Sequence, residues 1–431
     1  MGGLMSERQI FTKCAWRLVP FMGLLYLVNY VDRVNVSFAA LTMNRDLGFS
    51  PAVYGFGAGV FSLGYLLFQV PANVILERVG ARRAVFCIMA TWGAISAANA
   101  FVQSPLSFYA LRFFLGVAEA GFYPGMLLYL TYWFPQAYRT RYSASFQSAI
   151  PLAFIIGGPL SGLILEMDGA AGFHGWQLLF LLEGLPAFVL AFAVLKFLPN
   201  VPADASWLTR EEKVTIAARL AADDTAEHRN LWRALRDPRV LAMGLAGFGL
   251  LSGLVGITLW LPQIVQAMGF SNFATGLVVA LPFVVSIPAM IFWGRSSDVR
   301  RERIWHVALP LLVAAAGLFV ASFAQNYLLV LAALTFAAVG TLATLPPLYN
   351  LPSSFLSGPA LAGGIALFNS IANLGGFLGP TIMGVLKDAT GTYAAGMMTL
   401  ALGLVMSAII VMVLGRAMAG RPIFTANAKV S

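Results

Sequence analysis

The chain has 431 residues, 59% hydrophobic and 10% charged, with a formal net charge of +9 and a mean hydropathy of +0.80. A soluble domain carries about 25% charged residues, so this composition excludes a soluble globular protein and points to an all-α membrane protein crossing the bilayer many times. The positive balance alone would suit a nucleic-acid partner, but the placement of the charges argues against one, as the order of elements makes clear.

A spanning helix needs about 20 apolar residues. Twelve stretches qualify: 16–40, 51–74, 84–103, 107–131, 143–165, 176–197, 239–266, 274–293, 306–323, 327–349, 361–386 and 393–415. The first is too long for a cleaved signal peptide and continues into "VDR", so it is expected to stay as an anchor. It carries Asp32 and Arg33 side by side, although a charge at the centre of a span costs roughly 2.5–3.5 kcal/mol on insertion scales. At about 1.5 Å per residue, Asp32 lies roughly 24 Å along the helix from Trp16, past the midpoint. The two side chains point about 100° apart and cannot share neighbours.

"NVILERVGARR" (73–83) follows the second span. The fourth carries Arg112 and Glu119, seven apart and therefore on one face. The fifth holds Gln147 near its inner end and Gly158-Pro159; the sixth carries a further acid, Glu183. Residues 198–238 form the longest polar stretch, where "LTREEKVTIAARL" reads as a short cytosolic helix with a Thr209–Glu212 capping box. This linker divides the chain into an N-terminal six-helix bundle, 1–197, the linker, 198–238, and a C-terminal six-helix bundle, 239–431.

"GRSSDVRRERI" (294–304) follows the eighth span, 221 residues after the first such loop, and the same shift carries Gly158-Pro159 onto Gly379-Pro380. One offset fitting separate landmarks implies a duplicated six-helix unit. With both termini in the cytoplasm, 23 of the 27 Lys and Arg fall on the cytoplasmic side. That is the positive-inside pattern of an inner-membrane protein whose basic side meets anionic lipid, and it leaves no reason to invoke nucleic acid. Cys14 and Cys87 both fall near the cytoplasmic face, so no disulfide is expected. No His/Cys/acid cluster falls within the spans, so neither metal nor cofactor is expected beyond a coupling proton.

The twelve spans, the six-plus-six split and the paired Gly-x-x-x-Asp-Arg-x-Gly-Arg-Arg-like loops resemble the major facilitator superfamily. Glu77, Arg78, Gly80, Arg82 and Arg83 keep the loop pattern, and Asp298 and Arg303 repeat it; Asn73 stands for the usual Gly, Glu77 for Asp, and Ala81 where a basic residue is common. "NYVDRVNVSFA", "LRFFLGVAEAGFYPG", "TYWFP", "GWQLLFLLEGLPA" and "ASWLTREEK" are similar to the anion:cation symporter family. That group includes bacterial permeases for tartrate, phthalate, hydroxyphenylacetate, aldonates and hexuronates, with vesicular glutamate transporters and sialin as animal relatives. The resemblance implies twelve helices, alternating access and loops that lock and release a cytoplasmic gate.

Four ionisable residues lie well inside spans, Asp32, Arg33, Arg112 and Glu119, and the 221-residue shift places Gly253, Leu254, Ala333 and Gly340 opposite them. A charge set confined to one half suggests a specialised site there, since intramembrane ionisable residues are functional by default. Arg33 keeps its charge and can grip a carboxylate with two donors. It is the expected substrate anchor, with Asp32 and Glu119 as proton sites and Arg112 modulating Asp32; the resemblance supports the same assignment. The bland alternative is a fixed Asp32–Arg112 ion pair that only orients helices. Asn29, Tyr65, Gln147, Trp260, Gln263, Asn369 and Asn373 are candidate cavity residues. The resemblance matches Tyr65 to a cavity tyrosine; interhelical hydrogen bonding explains the others equally well.

The resulting expectation is a monomeric secondary transporter importing a small organic anion by proton symport. An antiporter or exporter is the alternative, since "GGPLSG" resembles the antiporter motif of a fifth span, although "SAIPLAFII" lacks its regular upstream glycines. No nucleophile–base pair, phosphate loop or ring of like charges suggests an enzyme or a channel.

Overall fold

The structure is a computed structural model that describes residues 6–147, 149–223, 237–352, 355–356 and 358–419. Part of the expected linker, 224–236 with His228, lies outside the described residues. The described residues are helical, with no strands. The helices are α1 (Glu7–Asp46), α2 (Pro51–Val79), α3 (Ala81–Ala98), α4 (Pro105–Glu119), α5 (Phe122–Trp133), α6 (Gln136–Gln147), α7 (Ala149–Leu165) and α8 (Gly175–Phe197). After them come α9 (Arg210–Asp223), α10 (Pro238–Gln266), α11 (Asn272–Arg300), α12 (Ile304–Phe323), α13 (Tyr327–Asn350), α14 (Gly358–Thr390) and α15 (Ala394–Ala419).

Among the described residues, eleven helices, with α4 and α5 counted as one, are long and apolar enough to cross a membrane, and α7 is a shorter apolar helix. Local chemistry sets the boundaries. Ser104 caps α4 with Ser107 in a capping box and Pro105 follows it; Asp237, Ser271 and Asn326 cap α10, α11 and α13. These side chains accept N–H groups that the first helical turn leaves without partners. Between α4 and α5 the helix breaks at Ala120 and Gly121. Pro124 has no N–H to give the Ala120 carbonyl, and its ring crowds that carbonyl. Between α2 and α3, Gly80 takes φ +88°, which a side chain would resist, and the Arg82 N–H donates to Asn200 Oδ1 at 2.9 Å.

Packing groups the chain into two units, 1–39 with 64–226, and 40–63 with 227–431. Residues 40–63, which chain order alone assigns to the first bundle, therefore pack with the second unit. In the first unit, α3 and α8 lie backbone to backbone: a Cβ on Gly93 would stand 2.6 Å from Phe188 N, and one on Gly184 2.8 Å from Ala97 N. Helix α9 docks on the start of α1 through Lys13–Glu212 at 2.8 Å and Glu7–Arg219 at 3.3 Å, while Trp207 stacks on Trp133 with ring centres 5.7 Å apart.

In the second unit, the N-terminal half of α2 lies on α14. A Cβ on Gly55 would meet Pro380 O at 2.4 Å, and one on Gly59 would meet Phe377 O at 2.6 Å. Asp388 Oδ2 accepts from Ser50 Oγ at 2.8 Å and Ala52 N at 2.9 Å, holding the start of α2. Helix α14 also packs closely on α10, where a Cβ on Gly375 would lie 2.1 Å from Phe248 O.

Candidate functional site

The first unit gathers the charges that the sequence sets apart. Glu119, the last residue of α4, is fully buried. Its Oε2 accepts from Arg33 Nε at 2.7 Å and from Asn29 Nδ2 at 2.8 Å, both on α1. Asn29 and Arg33 are four apart and so share a face. Glu119 Oε1 is buried and has no hydrogen-bond partner among the described residues. The guanidinium carbon of Arg33 sits 4.8 Å from the Tyr65 ring centre and 5.3 Å from that of Tyr30, within cation–π range. The Arg33 side chain keeps 23% of its surface exposed while Glu119 keeps none. Arg33 is thus the rim of this cluster and Glu119 its floor.

Tyr26 extends the aromatic wall. Its ring lies 5.0 Å from Tyr30, 5.6 Å from Tyr123 and 4.3 Å from Phe146. The result is a cation backed by tyrosines, which offer flat apolar faces together with hydroxyl groups.

Asp32 turns the other way. Its Oδ2 accepts from Trp92 Nε1 at 2.7 Å; its Oδ1 accepts from Asn35 Nδ2 at 2.7 Å and also from Ser96 Oγ. Trp92 and Ser96 lie four apart on α3. These three groups donate to Asp32, and Arg112, buried on α4 two turns before Glu119, lies within electrostatic reach of it. Adjacent residues of α1 consequently serve different neighbours, Arg33 facing α4 and α2 while Asp32 faces α3. Glu183 on α8 is buried and accepts from Ser161 Oγ on α7 at 2.8 Å. Gln147 ends α6, and its side chain is outside those described.

The remaining candidates belong to the second unit. Trp260 is fully buried and donates Nε1 to Pro380 O at 3.2 Å. Gln263 Oε1 accepts from Asn44 Nδ2 at 3.5 Å, and Asn373 Nδ2 donates to Asn369 O at 2.8 Å within its own helix. Glu77 and Arg78 at the end of α2 are exposed, as are Arg82 and Arg83 at the start of α3; Arg303, just before α12, reaches Asp298 near the end of α11 at 3.4 Å.

Sequence reasoning missed Asn35, Trp92, Ser96, Tyr30 and Tyr123. Trp92 and Ser96 at helical spacing in the third span look like ordinary packing residues until Asp32 is placed against them.

Residues 22–380 match the model of the Major Facilitator Superfamily. The chain belongs to that superfamily. It is 48% identical over 414 residues to a protein of Agrobacterium vitis provisionally named a tartrate transporter, covering 95% of this chain and 92% of that one. It is 39% identical over 413 residues to a quinolone resistance transporter of Acinetobacter baumannii, covering 94% and 95%. Among solved structures, it is similar to a bacterial homologue of the human lysosomal transporter Spinster, with a TM-score of 0.79, 17% identity and coverage of 94% and 98%. This major facilitator protein is a membrane transporter and not an enzyme.

Proposed function

We propose that this protein imports a small organic anion, a hydroxylated dicarboxylate such as tartrate, by proton symport. The observation that carries the reading is the Arg33–Glu119 pair, whose carboxylate keeps a second oxygen, Oε1, without a partner among the described residues. Glu119 holds Arg33 Nε in the geometry that a substrate carboxylate would seek. Substrate and Glu119 therefore compete for one cation. A proton on Glu119 Oε1 removes the competing charge and releases Arg33 for the substrate. Loss of the substrate lets Arg33 return to Glu119 and expels the proton. Asp32 serves as the second proton site, so a dianion can cross with its charge balanced. That balance matters because moving one elementary charge against 100 mV costs about 2.3 kcal/mol.

The tyrosines around Arg33 support a hydroxylated substrate, and the tartrate-named relative points the same way. The test is uptake of radiolabelled tartrate by proteoliposomes with and without an inward proton gradient, beside an aldonate, a hexuronate, phthalate and hydroxyphenylacetate. Accumulation of one acid only under the gradient supports the reading; equal uptake in both conditions refutes it.

A second reading is export, which the quinolone-resistance relative favours. Raised quinolone tolerance in cells expressing the protein, without acid-driven uptake of any acid in the panel, would select it.

A further inference from the structure

The surroundings of Asp32 have a chemistry that the proton-coupled reading does not itself require. Asp32, Asn35 and Trp92 are fully buried and Ser96 is 1% exposed. Three donors meet the carboxylate: the Trp92 indole, the Asn35 amide and the Ser96 hydroxyl. That set matches an ionised carboxylate, which only accepts. A protonated Asp32 also carries an O–H that needs an acceptor, because a buried donor without one is costly.

The indole can only donate and cannot help. The other two partners can reverse. The Ser96 hydroxyl both donates and accepts. Asn35 Oδ1 is buried and without a hydrogen-bond partner among the described residues, and turning the amide over would bring this oxygen to the place Nδ2 holds. Gly184 shapes the same spot: a Cβ there would lie 3.1 Å from Ser96 Oγ, so the glycine leaves the hydroxyl room against α8.

We propose that Asn35, Ser96 and Trp92 are positioning residues that hold Asp32 in one place both with and without its proton. Trp92 is the fixed donor, and one of Asn35 and Ser96 reverses to receive the single O–H. Arg112 and Glu119 on α4 and Glu183 on α8 bear on Asp32 by charge and so set the balance between its two forms, whereas this cage accommodates both. The step is balanced as addition of one proton to a carboxylate oxygen, with no other bond made or broken. The inference rests on the proton-coupled reading, in which Asp32 is loaded and unloaded in each cycle.

The test is acid-minus-neutral infrared difference spectroscopy of the full chain in lipid nanodiscs, which reads the carbonyl stretch of a protonated carboxyl. Asp32→Asn assigns the band. Asn35→Leu, Ser96→Ala and Trp92→Phe are each expected to shift it, and Ser96→Thr, which keeps a hydroxyl, to restore it. In proteoliposomes, Asn35→Leu and Ser96→Ala are expected to lower gradient-driven tartrate accumulation about tenfold, the scale of one lost hydrogen bond to a charged group. Tartrate exchange without net proton flow should persist in both variants, because it does not need the proton on Asp32 to turn over. If Asp32→Asn removes no band, or if the band keeps its wild-type frequency in all three variants, the cage is overturned. A shifted band in a protein whose wild type accumulates nothing under a gradient supports the cage and refutes only the symport reading.

Discussion

Glu119→Gln separates competition from coupling. In the structure one oxygen of Glu119 carries both the Arg33 bond at 2.7 Å and the Asn29 bond at 2.8 Å. Glutamine keeps the size and one acceptor but loses the charge. A hydrogen bond to a charged group contributes about 1.5–3 kcal/mol, and Arg33, at 23% side-chain exposure, is only partly screened by water. Taking the lower end, about 1.5 kcal/mol, an incoming carboxylate no longer has to displace that bond. Anion affinity should therefore rise about tenfold. The proton site is gone in the same stroke, so accumulation driven by a proton gradient should vanish while exchange of labelled for unlabelled anion persists. The assay is tartrate binding by the purified variant, followed by gradient-driven uptake and counterflow in one set of proteoliposomes. Weaker anion binding in Glu119→Gln would refute the competition, and undiminished gradient-driven accumulation would refute the coupling role.

Three further outcomes follow from the same geometry. Arg33→Lys keeps the charge but loses the planar fork and its stacking on Tyr65 and Tyr30; transport should fall by about tenfold or more through a raised KM, and wild-type kinetics would show that charge alone suffices. Gly375→Ala drives a Cβ to within 2.1 Å of a backbone oxygen, so thermal unfolding in detergent should reveal a loss of about 1–3 kcal/mol; an unaltered unfolding temperature would contradict the packing of α14 on α10. Burial pushes the Glu212 carboxyl up, but the bonds from Lys13 and the Thr209 N–H outweigh it and hold the group below its ordinary value. The docking of α9 that Glu212 supports is therefore full above the ordinary carboxylate range and lost as pH falls through the lowered value. Protease cleavage near α9 should speed up on acidification in wild type and show no such step in Glu212→Gln.

The sequence made the spans, the linker helix and the intramembrane charges legible because each rests on local chemistry. Apolar length marks a span whatever its neighbours, and the Thr209–Glu212 box is formed as its spacing implies, with Thr209 N–H to Glu212 Oε2 at 2.9 Å and Glu212 N–H to Thr209 Oγ1 at 3.3 Å. The divergence of Asp32 and Arg33 follows from the helical turn alone. What each reaches does not, because it depends on which helices lie alongside. The hydrogen-bond donors that meet Asp32 are an indole, an amide and a hydroxyl that no charge count singles out. Glu212 shows the same limit, since its spacing reveals the cap but not Lys13, 199 positions away. The division of α1 and α2 between two packing units was equally out of reach, because one apolar helix face looks much like another in sequence.

The seam between the start of α2 and α14 has a mechanical consequence. Gly55 and Gly59 face carbonyl oxygens of α14, and Gly384 in turn faces Pro51 O. The glycine contacts are smooth, and between them the Phe56 ring sets itself edge to face on Phe377, with ring centres 5.5 Å apart. Parting the seam therefore means separating one aromatic pair, while the glycine contacts on either side of it slide past each other, so it behaves as a zip with a single tooth. Hydrogen bonds fasten it at one end, where the Asp388 carboxylate accepts the Ser50 hydroxyl and the Ala52 N–H.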